Sequence, residues 1–387
     1  MGAFKILVVD DEPDLEMLVR QKFRKKIKEN EFEFVFAHNG QEALDKLQAD
    51  SSIDLVMSDI NMPVMDGLTF LSRLGDFNRI MKAVIVSAYG DMQNIRTAMN
   101  RGAYDFLMKP IDFLDFEVTV NKTRKAVEEI RQGTQAKEQL TALQHELSVA
   151  SRIQQSILPR KFPPYPDRKE FTIFASMTPA REVGGDFYDF FFIDQNRLGF
   201  VIGDVSGKGV PAAIFMAVSR TLLRATAMQG ISAGECLGYV NSVLCRQSDP
   251  SMFVTIFYGI LHTNTGALEY SVGGHNPPYL LLSSGEVKPL EGNGVIVGIL
   301  ERAEYATSKV QLTPGDAIFL FTDGVPEAEN SKQDEFSEAS LQEVLERVKE
   351  SSVEEIVREV FAEVRTFSAG APQHDDVTAM ALRYEGG

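Results

Sequence analysis

Cysteine is nearly missing from this 387-residue chain: Cys236 and Cys245 are the only two. They form neither a CxxC pair nor a disulfide framework, which suits the cytosol. No apolar run is long enough to span a membrane, so a membrane protein is not expected. A secretory leader is not expected either, because Met1-Gly2-Ala3-Phe4-Lys5 runs straight into a strand pattern. Positive charge is in short supply. There are 39 Lys and Arg against 55 Asp and Glu, a net charge of −16. That balance, with no recognisable helix-turn-helix, disfavours a nucleic-acid-binding regulator. What remains is ordinary for soluble globular protein: 44% hydrophobic and 24% charged residues, enough for two or three domains with proper cores.

Proline is absent from one long stretch. Between Pro110 and Pro159, residues Asp112 to Leu158 contain no proline and a single glycine, Gly133. A continuous helix of this extent would be about 70 Å long, more than one globular domain needs. Leu140, Leu143, Leu147, Ala150 and Ile157 follow alternating three- and four-residue steps, with Gln154 at the missing step, and predict a coiled-coil seam. Val120, Val127 and Ile130 form a second stripe, out of phase with the first; the break falls near Gly133. Three parts are expected: residues 1–122, a helical coiled-coil linker over 123–158, and residues 159–387. The chain's last-helix contacts with the first part should end before Gly133, and Leu140, Leu143 and Leu147 should form a homodimer seam.

In the first part, apolar runs recur at Ile6–Val9, Phe34–Ala37, Leu55–Met57, Ala83–Val86 and Phe106–Met108, with helical patterns between them. Short apolar strands alternating with helices predict a doubly wound α/β fold with a parallel five-stranded sheet. Ligands of such sheets bind beyond the carboxyl ends of the strands. The polar residues there are Asp10, Asp11, Asp59, Ser87 and Lys109. Three crowded carboxylates repel one another and persist most simply around a divalent cation. With a hydroxyl and an ammonium beside them, they have what phosphoryl transfer onto an aspartate requires.

These residues, in the runs Val8-Val9-Asp10-Asp11-Glu12-Pro13, Asp54 to Gly67, Ser87-Ala88 and Lys109-Pro110, resemble the receiver domain of bacterial response regulators. The resemblance implies that Asp59 is the phosphoacceptor. It implies Mg²⁺ on Asp10, Asp11, Asp59 and the Asn61 carbonyl, phosphoryl oxygens on Ser87 and Lys109, and Phe106 as the switch aromatic. No histidine-kinase domain is visible, so the donor would be a cognate histidine kinase or a small phosphodonor.

In the last part, strand-like runs come in groups and helices in pairs. Strands are expected at Phe171–Phe174, Phe187–Ile193, Leu198–Ile202, Val254–Leu261, Tyr279–Leu282, Ala317–Phe321 and Val377–Leu382. Helices are expected at Ala212–Met228, Ala233–Cys245, Ser340–Val348 and Val353–Phe367. The grouping predicts an α+β sandwich of antiparallel sheets flanked by helices. Acidic residues stand at strand ends beside small residues: Asp186 after Gly184-Gly185, Asp204 after Gly203, Asp323 before Gly324, and Asp375-Asp376 before Val377. Oxygen-only ligands favour hard cations such as Mg²⁺ or Mn²⁺. Two such ions can carry out phosphoester hydrolysis without a protein nucleophile.

This pattern resembles the metal-dependent, type 2C-like protein serine/threonine phosphatases. It is most similar to the bacterial branch that dephosphorylates anti-sigma-factor antagonists in partner-switching pathways. Ala150-x-x-Ile153-Gln154-Gln155-x-Ile157-Leu158-Pro159, Gly273-Gly274-His275-Asn276-Pro277-Pro278 and the strand holding Thr378 match as well. The resemblance implies two Mn²⁺ or Mg²⁺ ions on Asp186, Asp204, the Val205 carbonyl, Asp323 and Asp375, with Asp376 able to substitute for Asp375. The arginine-containing opening of the eukaryotic members is not evident, nor is a third-metal ligand.

Plainer readings stand beside these. Asp323-Gly324 taken alone is a turn. Gly207-Lys208-Gly209 hints at a phosphate loop but lacks the GxxxxGK[ST] spacing. Gly184-Gly185-Asp186-Phe187 lacks the second acid of a diguanylate cyclase signature. His275 reads as a general acid or a turn former, and Asp189 as a support for the site or a hairpin cap. Tyr188, Phe190, Phe191 and Phe192 read as packing. The expected whole is a cytoplasmic, dimeric response regulator in which an aspartyl phosphate controls a protein phosphatase. The rival is a catalytically inactive phosphatase-like domain that binds a partner under phosphorylation control.

Overall fold

The computed structural model describes residues 2–88, 91–247, 249 and 251–387. The chain forms two compact units that meet in sequence at Leu143 and Gln144. In the first, strands β1 (Phe4–Val9), β2 (Phe32–Ala37), β3 (Leu55–Asp59), β4 (Lys82–Ala88) and β5 (Asp105–Lys109) lie in the order β2-β1-β3-β4-β5, every neighbouring pair parallel. Helices α1 (Pro13–Lys22), α2 (Arg24–Lys28), α3 (Gly40–Ala49), α4 (Gly67–Arg73) and α5 (Met92–Asn100) connect them, and α6 (Phe113–Ile157) follows. The strands are apolar throughout because both faces are covered. Ile6 and Val8 enter one core, while Leu7 and Val9 enter the other. Asn39 and Asp66 cap α3 and α4 by accepting from the Glu42 and Thr69 amides, which fixes where the chain leaves the sheet edge.

Helix α6 is uninterrupted over 45 residues. Its first turns bury Phe116, Val120, Thr123 and Val127, four- and three-residue steps that keep one face on the first core. Arg131 adds an ion pair to the buried Asp54, at 2.5 Å. Residues 129–146 are then exposed all round, Leu140 at 56% and Leu143 at 53%. Burial resumes at Gln154 and Leu158, in the second unit. The stretch 123–158 is therefore not a body of its own. Its start completes the first core and its end completes the second unit, so the division falls inside the helix where no side chain is buried.

The second unit comprises β6 (Phe171–Thr178), β7 (Phe187–Phe192), β8 (Arg197–Val205), α7 (Val210–Ala227), α8 (Ala233–Gln247), β9 (Val254–His262), β10 (Ala267–Gly273), β11 (Tyr279–Leu281), β12 (Val287–Pro289), β13 (Ser308–Gln311), β14 (Ala317–Phe321), α9 (Glu338–Val348), α10 (Val353–Phe367) and β15 (Val377–Tyr384). Two antiparallel five-stranded sheets, β13-β10-β9-β8-β7 and β12-β11-β14-β15-β6, face each other. Period-two alternation sorts the side chains. On β14, Ile318 and Leu320 join Phe190 and Phe200 in the inter-sheet core, while Phe319 and Phe321 turn outward to Leu341, Leu345, Ile356 and Val360 of α9 and α10. Met216, Leu223 and Leu237 of α7 and α8 belong to the large core of the first sheet. The layers are helices, sheet, sheet, helices. The strand patterns do not reveal β10, β12 and β13. β12 and β13 are short sheet-edge strands, and β10 interleaves Glu269 and Ser271 with its apolar positions.

Candidate metal and phosphoryl sites

The parallel sheet brings the ends of β1, β3 and β5 to one edge. Carboxylate oxygens of Asp10, Asp11 and Asp59 there lie within 4.8 Å of one another. Lys109 Nζ sits 2.6 Å from Asp59 Oδ2, 2.9 Å from Asp10 Oδ2 and 3.0 Å from Glu12 Oε1. Burial pushes the Asp10 carboxyl up, and the Asp59 charge adds to this, against the Glu12 amide and Lys109. Burial alone would lower the Lys109 ammonium, but its bonds to Asp59, Asp10 and Glu12 outweigh that and hold it well above its ordinary value. The Asn61 amide donates to Asp59 Oδ1 at 3.3 Å. Ser87 is fully buried, its hydroxyl 3.4 Å from Asp91 Oδ2. Phe106 lies on β5 beside Ile85 of β4 and is 37% exposed. A hard cation suits three carboxylates at this spacing.

In the second unit the register of β7 against β8 pairs Phe187 with Gly203, which sets Asp186 opposite Asp204. The other sheet supplies Asp323 just after β14 and Asp375-Asp376 just before β15. Two hydroxyls bridge the sheets: Thr322 and Thr378 donate to Asp186 Oδ2 at 2.7 and 2.5 Å. Burial pushes the Asp186 carboxyl far up, and the charges of Asp204 and Asp376 add to it, opposed by those hydroxyls. Asp204 is pushed up to about 7 by burial and by Asp323, then by Asp375 and Asp376, while a hydrogen bond with Asp186 opposes. Asp323 is raised by burial and by Asp375. Buried acids that raise one another in this way fit a site for hard divalent cations. Among the described residues, only the trio at the edge of the first unit converges within 4.8 Å.

Adjacent Asp375 and Asp376 have different jobs. Asp376 is buried; its Oδ1 accepts from the Ala180 amide at 2.8 Å and its Oδ2 from Gly185 and Asp186 at 2.7 and 3.3 Å. It is a strut that holds the loop before β7. This explains why Gly184 and Gly324 are glycines. A Cβ on Gly184 would lie 2.0 Å from Asp376 Oδ2, and one on Gly324 would lie 1.9 Å from its carbonyl. Asp375 instead is 41% exposed and reaches the cleft it shares with Arg181, Asp204 and Lys208.

Arg181, not singled out in the sequence, stands five residues before Asp186 and lines the same cleft. His275 is not placed as a general acid. Its Nδ1 is 2.8 Å from Thr255 Oγ1 and its Nε2 3.1 Å from the Phe321 carbonyl. The carbonyl can only accept, so Nε2 carries the proton and Nδ1 accepts from the threonine. Burial pushes the imidazole down to about 4. It is a neutral brace between β9 and the end of β14. Asp189 is fully buried on β7 and pairs with Arg220 at 2.9 Å and Arg224 at 3.1 Å, tying α7 to the sheet. Tyr188, Phe190 and Phe191 are buried in the large core about the first sheet, Phe191 on the face toward α7 beneath Arg224. Gln154 was legible as a polar residue at an apolar step; it turns out to be buried and to hydrogen-bond both backbone groups of Gly184.

Comparison with known proteins finds a family for each part of the chain. Residues 6–121 match the family described as response regulator receiver domain, and residues 194–385 match stage II sporulation protein E (SpoIIE). Phosphoserine phosphatase RsbU of Bacillus subtilis is 30% identical over 242 residues, 62% of this chain and 70% of RsbU. The chain belongs to the SpoIIE-type family of type 2C-like phosphatases. The second unit is its phosphatase domain, and the first is a receiver domain. Phosphatases of this type depend on Mg²⁺ or Mn²⁺, and receiver domains bind Mg²⁺. Protein IcfG of Synechocystis is 31% identical over 264 residues, covering 61% of this chain but only 41% of IcfG. The SiaA-PP2C domain of Pseudomonas aeruginosa shares the fold at a TM-score of 0.57 and 22% identity, over 63% of this chain and 98% of the domain. Among the described residues, no helix is long and apolar enough to cross a membrane.

Proposed function

We propose that this chain is a two-component response regulator whose aspartyl phosphate controls a metal-dependent protein-serine/threonine phosphatase. The observation that carries the reading is Asp186: fully buried, gripped by Thr322 and Thr378, and abutting Asp204 at the joined ends of two sheets. Such an arrangement costs stability unless it serves a bound cation.

At the receiver edge, an Asp59 oxygen takes the phosphoryl group from a histidine kinase. The new O–P bond forms as the donor P–N bond breaks, and Lys109 and Ser87 hold the transferred oxygens. Asp10, Asp11, Asp59 and the Asn61 carbonyl would hold Mg²⁺. In the phosphatase, Asp186, Asp204, the Val205 carbonyl, Asp323 and Asp375 would hold two Mn²⁺ or Mg²⁺ ions. Bound there, the ions supply charge neutralisation and a more acidic water. Asp186 and Asp204 stay ionised to hold them, Asp376 keeps their loop in place, and Arg181, which lines the cleft, would bind a phosphoryl oxygen. In the hydrolysis a water oxygen bonds to phosphorus, the serine O–P bond breaks, and the serine oxygen leaves with a proton.

By its likeness to RsbU, the substrate is a phosphorylated anti-sigma-factor antagonist in a partner-switching pathway, in the cytoplasm. The protein acts as a homodimer through Leu140, Leu143 and Leu147. An apolar groove of about 730 Å³ between the end of α6 and α7, including Ile153, Ile157 and Ile214, supports that reading. The test is hydrolysis of p-nitrophenyl phosphate and of a phosphoserine antagonist with Mn²⁺. Asp204→Asn should abolish both; unchanged turnover would refute the assigned site.

A further inference from the structure

Lys208 lies in the loop between β8 and α7, four residues after Asp204. Its Nζ is 2.9 Å from Asp375 Oδ2 and donates to the His374 carbonyl at 2.5 Å. The other Asp375 oxygen, Oδ1, accepts from the Asp376 amide at 2.9 Å. The protein thus occupies both oxygens of the accessible acid in this cluster. The ammonium also acts on its neighbours, pulling Asp323 and Glu327 downward against burial. Gly207 and Gly209 flank it at φ +85° and +78°, a backbone region that favours glycine. Nothing lies within 4 Å of a Cβ built on either. The loop runs directly into α7.

We propose that Lys208 is the resident counter-ion of Asp375 and that a divalent cation must displace it to use that carboxylate. The inference rests on the reading of these acids as the metal site. An ammonium at 2.9 Å and a divalent cation compete for the same oxygen, because two positive charges there repel. Lys208 therefore weakens metal binding, and it does so through Asp375, as a positioning residue. Because its loop leads into α7, whose flank faces Ile153 and Ile157 of α6 in the apolar groove, a shift of α7 changes how readily the ammonium lets go. A lysine that merely pinned the loop to the His374 carbonyl would not alter metal affinity in an Asp375-dependent way.

The test is calorimetric titration of the full chain with Mn²⁺, in an Asp11→Asn background that removes the receiver's contribution. Four proteins are compared: the background itself, and the background with Lys208→Gln, with Asp375→Asn, or with both. Lys208→Gln should tighten Mn²⁺ binding about three- to fivefold, as loss of a half-exposed ion pair allows. The same change should have no effect once Asp375 is Asn. Equal or weaker binding by Lys208→Gln overturns the proposal. So does a gain that persists with Asp375→Asn, which would be a general field effect. If none of the four binds Mn²⁺, the metal-site reading falls and this inference falls with it.

Discussion

Gln154 on α6 and Gly184 in the loop before β7 exchange two hydrogen bonds: Gln154 Nε2 donates to the Gly184 carbonyl at 2.6 Å, and the Gly184 amide donates to Gln154 Oε1 at 3.1 Å. Two residues further on is Asp186. The end of the long helix is therefore fastened to the backbone that carries the buried Asp186.

Gln154→Ala leaves both Gly184 groups buried and unpaired. The expected cost is roughly 1–3 kcal/mol of stability for the second unit, with weaker Mn²⁺ binding because Asp186 loses its fixed position. Urea unfolding and Mn²⁺ calorimetry measure the two. Unchanged Mn²⁺ affinity would show that the clamp serves stability alone.

Asp204 gives metal binding a pH dependence. Its carboxyl, pushed up to about 7, holds a proton below that pH and must lose it to bind a cation. Mn²⁺ affinity should rise from pH 6 to pH 8, with protons released on binding. Titration in buffers of different ionisation enthalpy counts them. A flat profile with no proton release would contradict this.

His275 runs the other way on stability. Its folded value of about 4 lies below the unfolded value near 6.5, so the unfolded chain takes up the proton first as pH falls. The stability is fully present above about pH 6.5 and drains away as pH drops toward 4, by roughly 3 kcal/mol in all. In His275→Gln, whose amide can also donate to the Phe321 carbonyl and accept from Thr255, this loss should vanish. Denaturant unfolding at pH 7 and pH 4.5 compares the two proteins.

Much of this was legible because strand-end chemistry is local. Asp10, Asp59 and Lys109 sit directly beside apolar strands, and a parallel sheet gathers such ends at one edge. Asp186 and Asp204 were readable for the same reason. The role of Asp376 was not, because its partners at Ala180, Gly185 and Asp186 lie about 190 residues away in sequence and are backbone amides. Arg181 was hidden among exposed loop residues, and Lys208 looked like half of a phosphate loop until Asp375 was found beside it. The helix was predicted over nearly its true length, but its division between two units depends on which turns are buried. The phase break near Gly133 falls within the exposed stretch 129–146, before the division at Leu143 and Gln144.

The most direct measurement of receiver control is the rate of phosphoserine hydrolysis by the full chain with and without a beryllofluoride phosphate mimic, in the wild type and in Asp59→Asn. The account predicts that the mimic changes the wild-type rate and leaves the Asp59→Asn rate where it was. A wild-type rate indifferent to the mimic, or an equal response in both proteins, would contradict it.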